Sequence, residues 1–300
     1  MIRLPSGVDK KNLIEDLKIL SWEACDVLLH YAKILKNSKV KDNILRNDNI
    51  EDPVTIADLK VNDLIINRLN EKYGNVDWAI LSEENAKSSN IKCDINNDWL
   101  WILDPLDGTR DFIQCTGNYA MHLALSYKKK PLIGIVLIPE KDQLWIANGD
   151  KVWCESRDGS KLKSKISNKK ILQEMVVVTS KNHRNENLRK LLENLNCREI
   201  IVMGSIGCKI ASIISGRSDI YFSLSLPGKS CPKDWDFAAP EAILKGSGGT
   251  ITNLDNEELT YFQRDFKQEG IIVASNSKEN HKDICLQIKE IIKRNNILSL

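Results

Sequence analysis

Between residues 78 and 147 the chain holds five short segments in close succession: "WAIL" (78–81), "WLWIL" (99–103), "YAMHLALSY" (119–127), "PLIGIVLIP" (131–139) and "QLWIA" (143–147). Each is apolar or alternating, and polar turns separate them, which is the pattern of β-strands. Strands this short have no stability alone, so they must pair into a sheet of at least five strands whose apolar face is covered. The cover lies upstream. Leu13, Leu17, Leu20, Ala24, Val27 with Leu28, Tyr31 and Leu35 recur at three-to-four spacing across residues 9–35. Ala57, Val61, Leu64 with Ile65, and Leu69 do so across 56–73, with Gly74 as a stop. Both stretches are amphipathic helices by period, suited to covering one face of the sheet.

After a Lys/Ser/Asn-rich stretch (156–170), strand-like "MVVVTS", "IIVMGS", "DIYFS" and "GIIVAS" alternate with helix-like stretches near 185–195, 206–215, 237–245 and 278–293. This half reads as a layered α/β unit. The expected division is an N-terminal α+β domain over 1–165 and a C-terminal α/β domain over 166–300. "GSGG" (246–249) reads as a helix stop rather than a phosphate loop, because it follows a helix.

Charge excludes some functions. Forty-three Lys and Arg against 41 Asp and Glu leave a formal +2, with no basic patch for nucleic acid. The longest apolar run, 132–138, is far too short to span a bilayer, and the first residues lack a secretory pattern. Eight scattered cysteines without a C-x-x-C pair suit reduced thiols, and a cytoplasmic location is expected.

The chemistry concentrates in acidic residues. Asp104 ends a strongly apolar strand, and Asp107 follows three residues on in "DPLDGT" (104–109). Taken alone, Asp-Pro and Asp-Gly are turn dipeptides. At the carboxyl end of a strand, however, two carboxylates and the Leu106 carbonyl offer hard oxygen donors, Gly108 permits close backbone approach, and Thr109 can open a helix. Glu83 and Glu84 follow another strand, Asp58 falls early in the second helix, and Asp236 directly precedes an apolar helical run, where an N-cap role and a ligand role are compatible. Oxygen-rich coordination without a Cys/His cluster fits magnesium.

These segments resemble the lithium-sensitive, magnesium-dependent phosphatases of the inositol monophosphatase superfamily, in its 3′(2′),5′-bisphosphate nucleotidase branch. "DPLDGT", "WDFAAPEA" (235–242), "DPVTIAD" (52–58) and "SEE" (82–84) carry the resemblance. It implies an α/β fold layered α-β-α-β-α, like inositol monophosphatase and fructose-1,6-bisphosphatase. It also implies two or three magnesium ions: Glu83, Asp104 and the Leu106 carbonyl for one, Asp104, Asp107 and Asp236 for a second, and Glu83 helping a third. Asp58 and Thr109 would then be catalytic, orienting the attacking water, with no protein nucleophile.

For the substrate, "VVTSKNH" (177–183) and "GSIGCKI" (204–210) match the nucleotidase pattern at Ser180, His183, Gly204, Ser205 and Lys209, with Gly108, Thr109 and Asp236 also facing substrate. The implied reaction removes the 3′-phosphate of 3′-phosphoadenosine 5′-phosphate to give AMP, with the sulfated relative a further candidate. An inositol phosphatase on the same scaffold is the nearest alternative. A haloacid-dehalogenase mechanism is disfavoured, because Pro105 stands where its nucleophilic aspartate would be. A silent metal- or phosphate-binding module would have no use for Asp58 and Thr109. The expected partner is a small phosphorylated molecule, and the expected state a monomer or homodimer.

Overall fold

The computed structural model describes residues 3–37, 55–87, 94–181, 186–226, 228 and 230–298. Two helices open the chain: α1 (Lys10–Lys36) and α2 (Ile56–Tyr73). Asp9 caps α1 by accepting from the Asn12 N–H at 2.9 Å, and Thr55 caps α2.

Seven strands then form one sheet in chain order: β1 (Ala79–Ser82), β2 (Trp99–Asp107), β3 (Ala120–Tyr127), β4 (Lys130–Ile138), β5 (Gln143–Asn148), β6 (Lys151–Glu155) and β7 (Lys161–Leu162). β1 and β2 are parallel and the rest antiparallel. Two short helices interrupt the run, α3 (Glu83–Lys87) after β1 and α4 (Thr109–Ile113) after β2. β6 and β7 extend the sheet beyond the five segments legible in the sequence.

A second sheet has the order β11-β12-β10-β8-β9, built from β8 (Val176–Ser180), β9 (Glu199–Met203), β10 (Ile220–Ser225), β11 (Thr250–Asn253) and β12 (Gly270–Ser275). Four helices accompany it: α5 (Glu186–Asn194), α6 (Ile206–Ile214), α7 (Asp234–Gly246) and α8 (Lys278–Arg294).

Side-chain alternation sorts these elements into five layers. Trp99, Trp101 and Leu103 of β2 face α1 and α2, whereas Leu100 and Ile102 face the core shared with α6, α7 and the inner face of the second sheet. Ile271 and Val273 of β12 point the other way, toward α5 and α8. The order is therefore α-β-α-β-α, the layering the sequence resemblance implies. α7 lies close on the first sheet at Gly134, where an added Cβ would come within 2.8 Å of the Ala239 carbonyl and the Ala242 methyl. Among the described residues no helix is long and apolar enough to cross a membrane.

Candidate active site

The site begins with an irregularity in β2. Residues three apart on a regular strand point to opposite faces. Here Asp104 pairs with His122 and Asp107 with Ala120, so three steps on β2 match two on β3. The extra residue is a β-bulge at Pro105–Leu106, where a proline is tolerated, and it turns both carboxylates to one side.

β1 supplies the next acid. Ser82 pairs in parallel with Leu103, so Glu83, at the start of α3, stands level with Asp104. Lys87 holds Glu83 Oε1 at 2.8 Å. Asp236 arrives from α7. The helix begins at Asp234, earlier than the sequence suggested, so Asp236 is its third residue rather than its cap; its Oδ2 accepts from the Lys233 N–H at 2.6 Å.

Asp104, Asp107 and Asp236 each offer an oxygen within 4.8 Å of the others. Burial first, then the neighbouring carboxylates, hold Asp104 and Asp236 well above the usual carboxylate range. Asp236 nevertheless keeps some solvent contact, which marks the open side of the cluster. Three close carboxylates fit a hard, oxygen-seeking cation such as magnesium.

Asp58 and Thr109 adjoin this cluster. Thr109 Oγ1 lies 3.1 Å from the Leu106 carbonyl and 3.4 Å from Asp58 Oδ1. Asp58 Oδ2 accepts from the Thr55 N–H at 2.9 Å and from the Thr55 hydroxyl. Burial, reinforced by Glu83 and Glu84 and opposed by the Thr55 hydrogen bonds, pushes Asp58 up to about 7.

The start of α6 closes the other side. Asp107 Oδ2 accepts from Ser205 Oγ at 2.7 Å, from the Ile206 N–H, and from the Gly207 N–H at 3.3 Å. Ser205 is thus engaged with Asp107, and its Oγ also accepts from the Cys208 N–H at 3.2 Å. Gly108, at φ 87°, packs against the Ser205 backbone, and Gly204 packs against the Asp111 carboxylate. Lys209 is 3% exposed, not the solvated helix lysine that its residue type favours; its Nζ lies 5.2 Å from the centre of the Tyr221 ring. Ser180 also reaches Tyr221.

The structure therefore brings together Asp58, Glu83, Asp104, Leu106, Asp107, Thr109 and Asp236, with Gly108, Gly204 and Ser205 beside them. Ser180 and Lys209 meet through Tyr221, and His183 lies outside the described residues. Sequence reasoning missed Tyr221 and His122. The signal for His122 was a single histidine inside the apolar strand "YAMHLALSY".

A family model described as "Inositol monophosphatase family" matches residues 9–293. The chain is 31% identical over 209 residues to a 3′(2′),5′-bisphosphate nucleotidase CysQ of Buchnera aphidicola, covering 70% of this chain and 74% of the relative. It is 26% identical over 265 residues to the protein of the same name from Escherichia coli K12, covering 87% and 99%. Among solved structures it is similar to an IMPase of Thermotoga maritima, with a TM-score of 0.72, 22% identity and coverage of 95% and 99%. That last likeness speaks for the fold alone.

Proposed function

The chain belongs to the inositol monophosphatase family, and from that premise we propose that it is a magnesium-dependent phosphatase that converts 3′-phosphoadenosine 5′-phosphate to AMP. The observation that carries the reading is the convergence of Asp104, Asp107 and Asp236 within 4.8 Å, with Asp58 and Thr109 alongside. The names of the two CysQ relatives support the choice of substrate.

Glu83, Asp104 and the Leu106 carbonyl would hold one magnesium, and Asp104, Asp107 and Asp236 a second, with Glu83 contributing to a third. When bound, these ions supply positive charge to the phosphoryl oxygens and lower the pKa of water. The chain's own residues orient the water and can take its proton through Thr109 Oγ1 to Asp58 Oδ1. Asp58 is fixed by Thr55, and a Thr109 hydroxyl donating to Asp58 leaves its oxygen able to accept from the attacking water. Gly108, at φ 87° and packed on the Asn118 and Ser205 backbone, sets the turn that presents Thr109 to the site. Lys209, with Ser180 across Tyr221, would supply the positive charge for the second phosphate; at 3% exposed it would act on it chiefly through its field.

The test is product analysis with magnesium present. AMP and inorganic phosphate are expected from 3′-phosphoadenosine 5′-phosphate, and a chelator should stop the reaction. Faster hydrolysis of inositol 1-phosphate would move the reading to the inositol phosphatase. Phosphate release from neither substrate would leave a binding module.

A further inference from the structure

We propose that His122 is a positioning residue for the acidic cluster, holding Asp107 so that its Oδ1 stays available to a cation. The inference rests on the reading of that cluster as a metal centre.

His122 is 0% exposed in the middle of β3, flanked by Met121 and Leu123. Burying an imidazole among apolar residues is unfavourable unless its polar atoms are used. Nε2 lies 3.3 Å from Asp107 Oδ2, and the Trp235 backbone also acts on the ring, although neither ring nitrogen has a well-aligned hydrogen-bond partner among the described residues. The ring packs directly on Gly207 of α6, in the space a Cβ there would need. At 3.3 Å from a carboxylate oxygen, Nε2 is placed to face Asp107 as a donor in the tautomer that carries the ring proton there.

Asp107 Oδ2 accepts from three donors, Ser205 Oγ and the Ile206 and Gly207 N–H groups, and His122 Nε2 stands 3.3 Å away on a further side. That crowding engages Oδ2 and leaves Oδ1 for a cation. The three donors belong to the start of α6. His122 comes instead from β3, where it is the cross-strand partner of Asp104. It therefore ties the carboxylate held by the helix to β3 at the position that pairs with Asp104, and so fixes the two carboxylates of β2 across the bulge.

Partners that orient a metal ligand are typically worth about 10–100-fold in metal affinity. The test uses the full chain and manganese as the probe, with free ion measured by its electron paramagnetic resonance signal and folding followed by circular dichroism. His122→Leu removes the donor and should weaken manganese binding about tenfold or more. His122→Gln keeps an N–H near the position of Nε2 and should bind within about threefold of wild type. His122→Asn is too short to reach Asp107 and should behave like the Leu variant, which keeps the test decisive if Leu does not fold. Wild-type affinity in folded Leu or Asn variants overturns the inference, as does a loss in Gln as large as theirs. Wild-type protein that binds no manganese overturns both this inference and the metal reading on which it rests.

Discussion

Asp104→Asn should stabilise the metal-free protein while destroying its activity. Asp104 faces Glu83, its strongest charged neighbour, and also Asp107 and Asp236 within 4.8 Å. At an effective dielectric near 20, each such pair costs about 3 kcal/mol when both members are charged. The cluster can relieve this by taking up a proton, but at pH 7 protonating a carboxyl of ordinary pKa near 4 costs about 4 kcal/mol. The cheaper route sets the ceiling, so a neutral amide should recover about 2–4 kcal/mol, or about 3–6 °C in Tm. The amide retains the acceptor for the Leu106 N–H, now 3.0 Å from Asp104 Oδ1. The sign also fixes a pH dependence. Because Asp104 is raised in the folded protein, its contribution is fully present below about pH 4 and is lost as pH rises through the folded pKa. In EDTA, wild type should therefore lose stability toward pH 7 more steeply than the variant. With magnesium the order reverses, since only wild type gains from binding. Melts of both proteins in EDTA and in magnesium provide the assay. An Asn variant less stable than wild type in EDTA, or one with normal turnover, would refute the reasoning.

Thr109→Ala should lower kcat by about a hundredfold with a smaller change in KM, as expected for losing a group that orients the nucleophile; a raised KM at unchanged kcat would restrict Thr109 to phosphate binding. Lys209→Met, which preserves bulk over Tyr221, should raise KM for the bisphosphorylated nucleotide about tenfold and leave a monophosphate substrate little changed, and equal losses on both would count against the substrate assignment. His281 is buried between Thr252 Oγ1 at 2.8 Å and Ser275 Oγ at 2.7 Å, and burial pushes it down to about 4. A depressed histidine contributes stability above its unfolded pKa that is lost as pH falls, so urea titrations with magnesium present should show wild type losing about 2 kcal/mol more than His281→Gln between about pH 7 and pH 5.

Periodicity made much of the fold legible. The stripe from Leu13 to Leu35 is α1, the stripe from Ala57 to Leu69 is α2, and the change to short alternating segments is the first sheet. Periodicity missed three strands: β7 is two exposed residues and β11 the brief "TITN", both with weak apolar content, and β6, "KVWCE", is a short run bounded by charges. The acids themselves were visible as residue types at strand ends. Their convergence was not, because it depends on a bulge that reverses the side-chain parity between Asp104 and Asp107, and on the packing of α7 over the sheet at Gly134. Nor could sequence distinguish a solvated Lys209 from a buried one, since that depends on the second sheet bringing Tyr221 beside it.

The central claim is that the three converging aspartates form the metal centre of the enzyme. Anomalous diffraction from crystals soaked in manganese tests it most directly. The expected result is an anomalous peak in ligand contact with Asp104, Asp107 and Asp236, absent from crystals of Asp104→Asn. An active wild-type enzyme whose crystals show no manganese at those carboxylates, or show it only elsewhere, would contradict the claim.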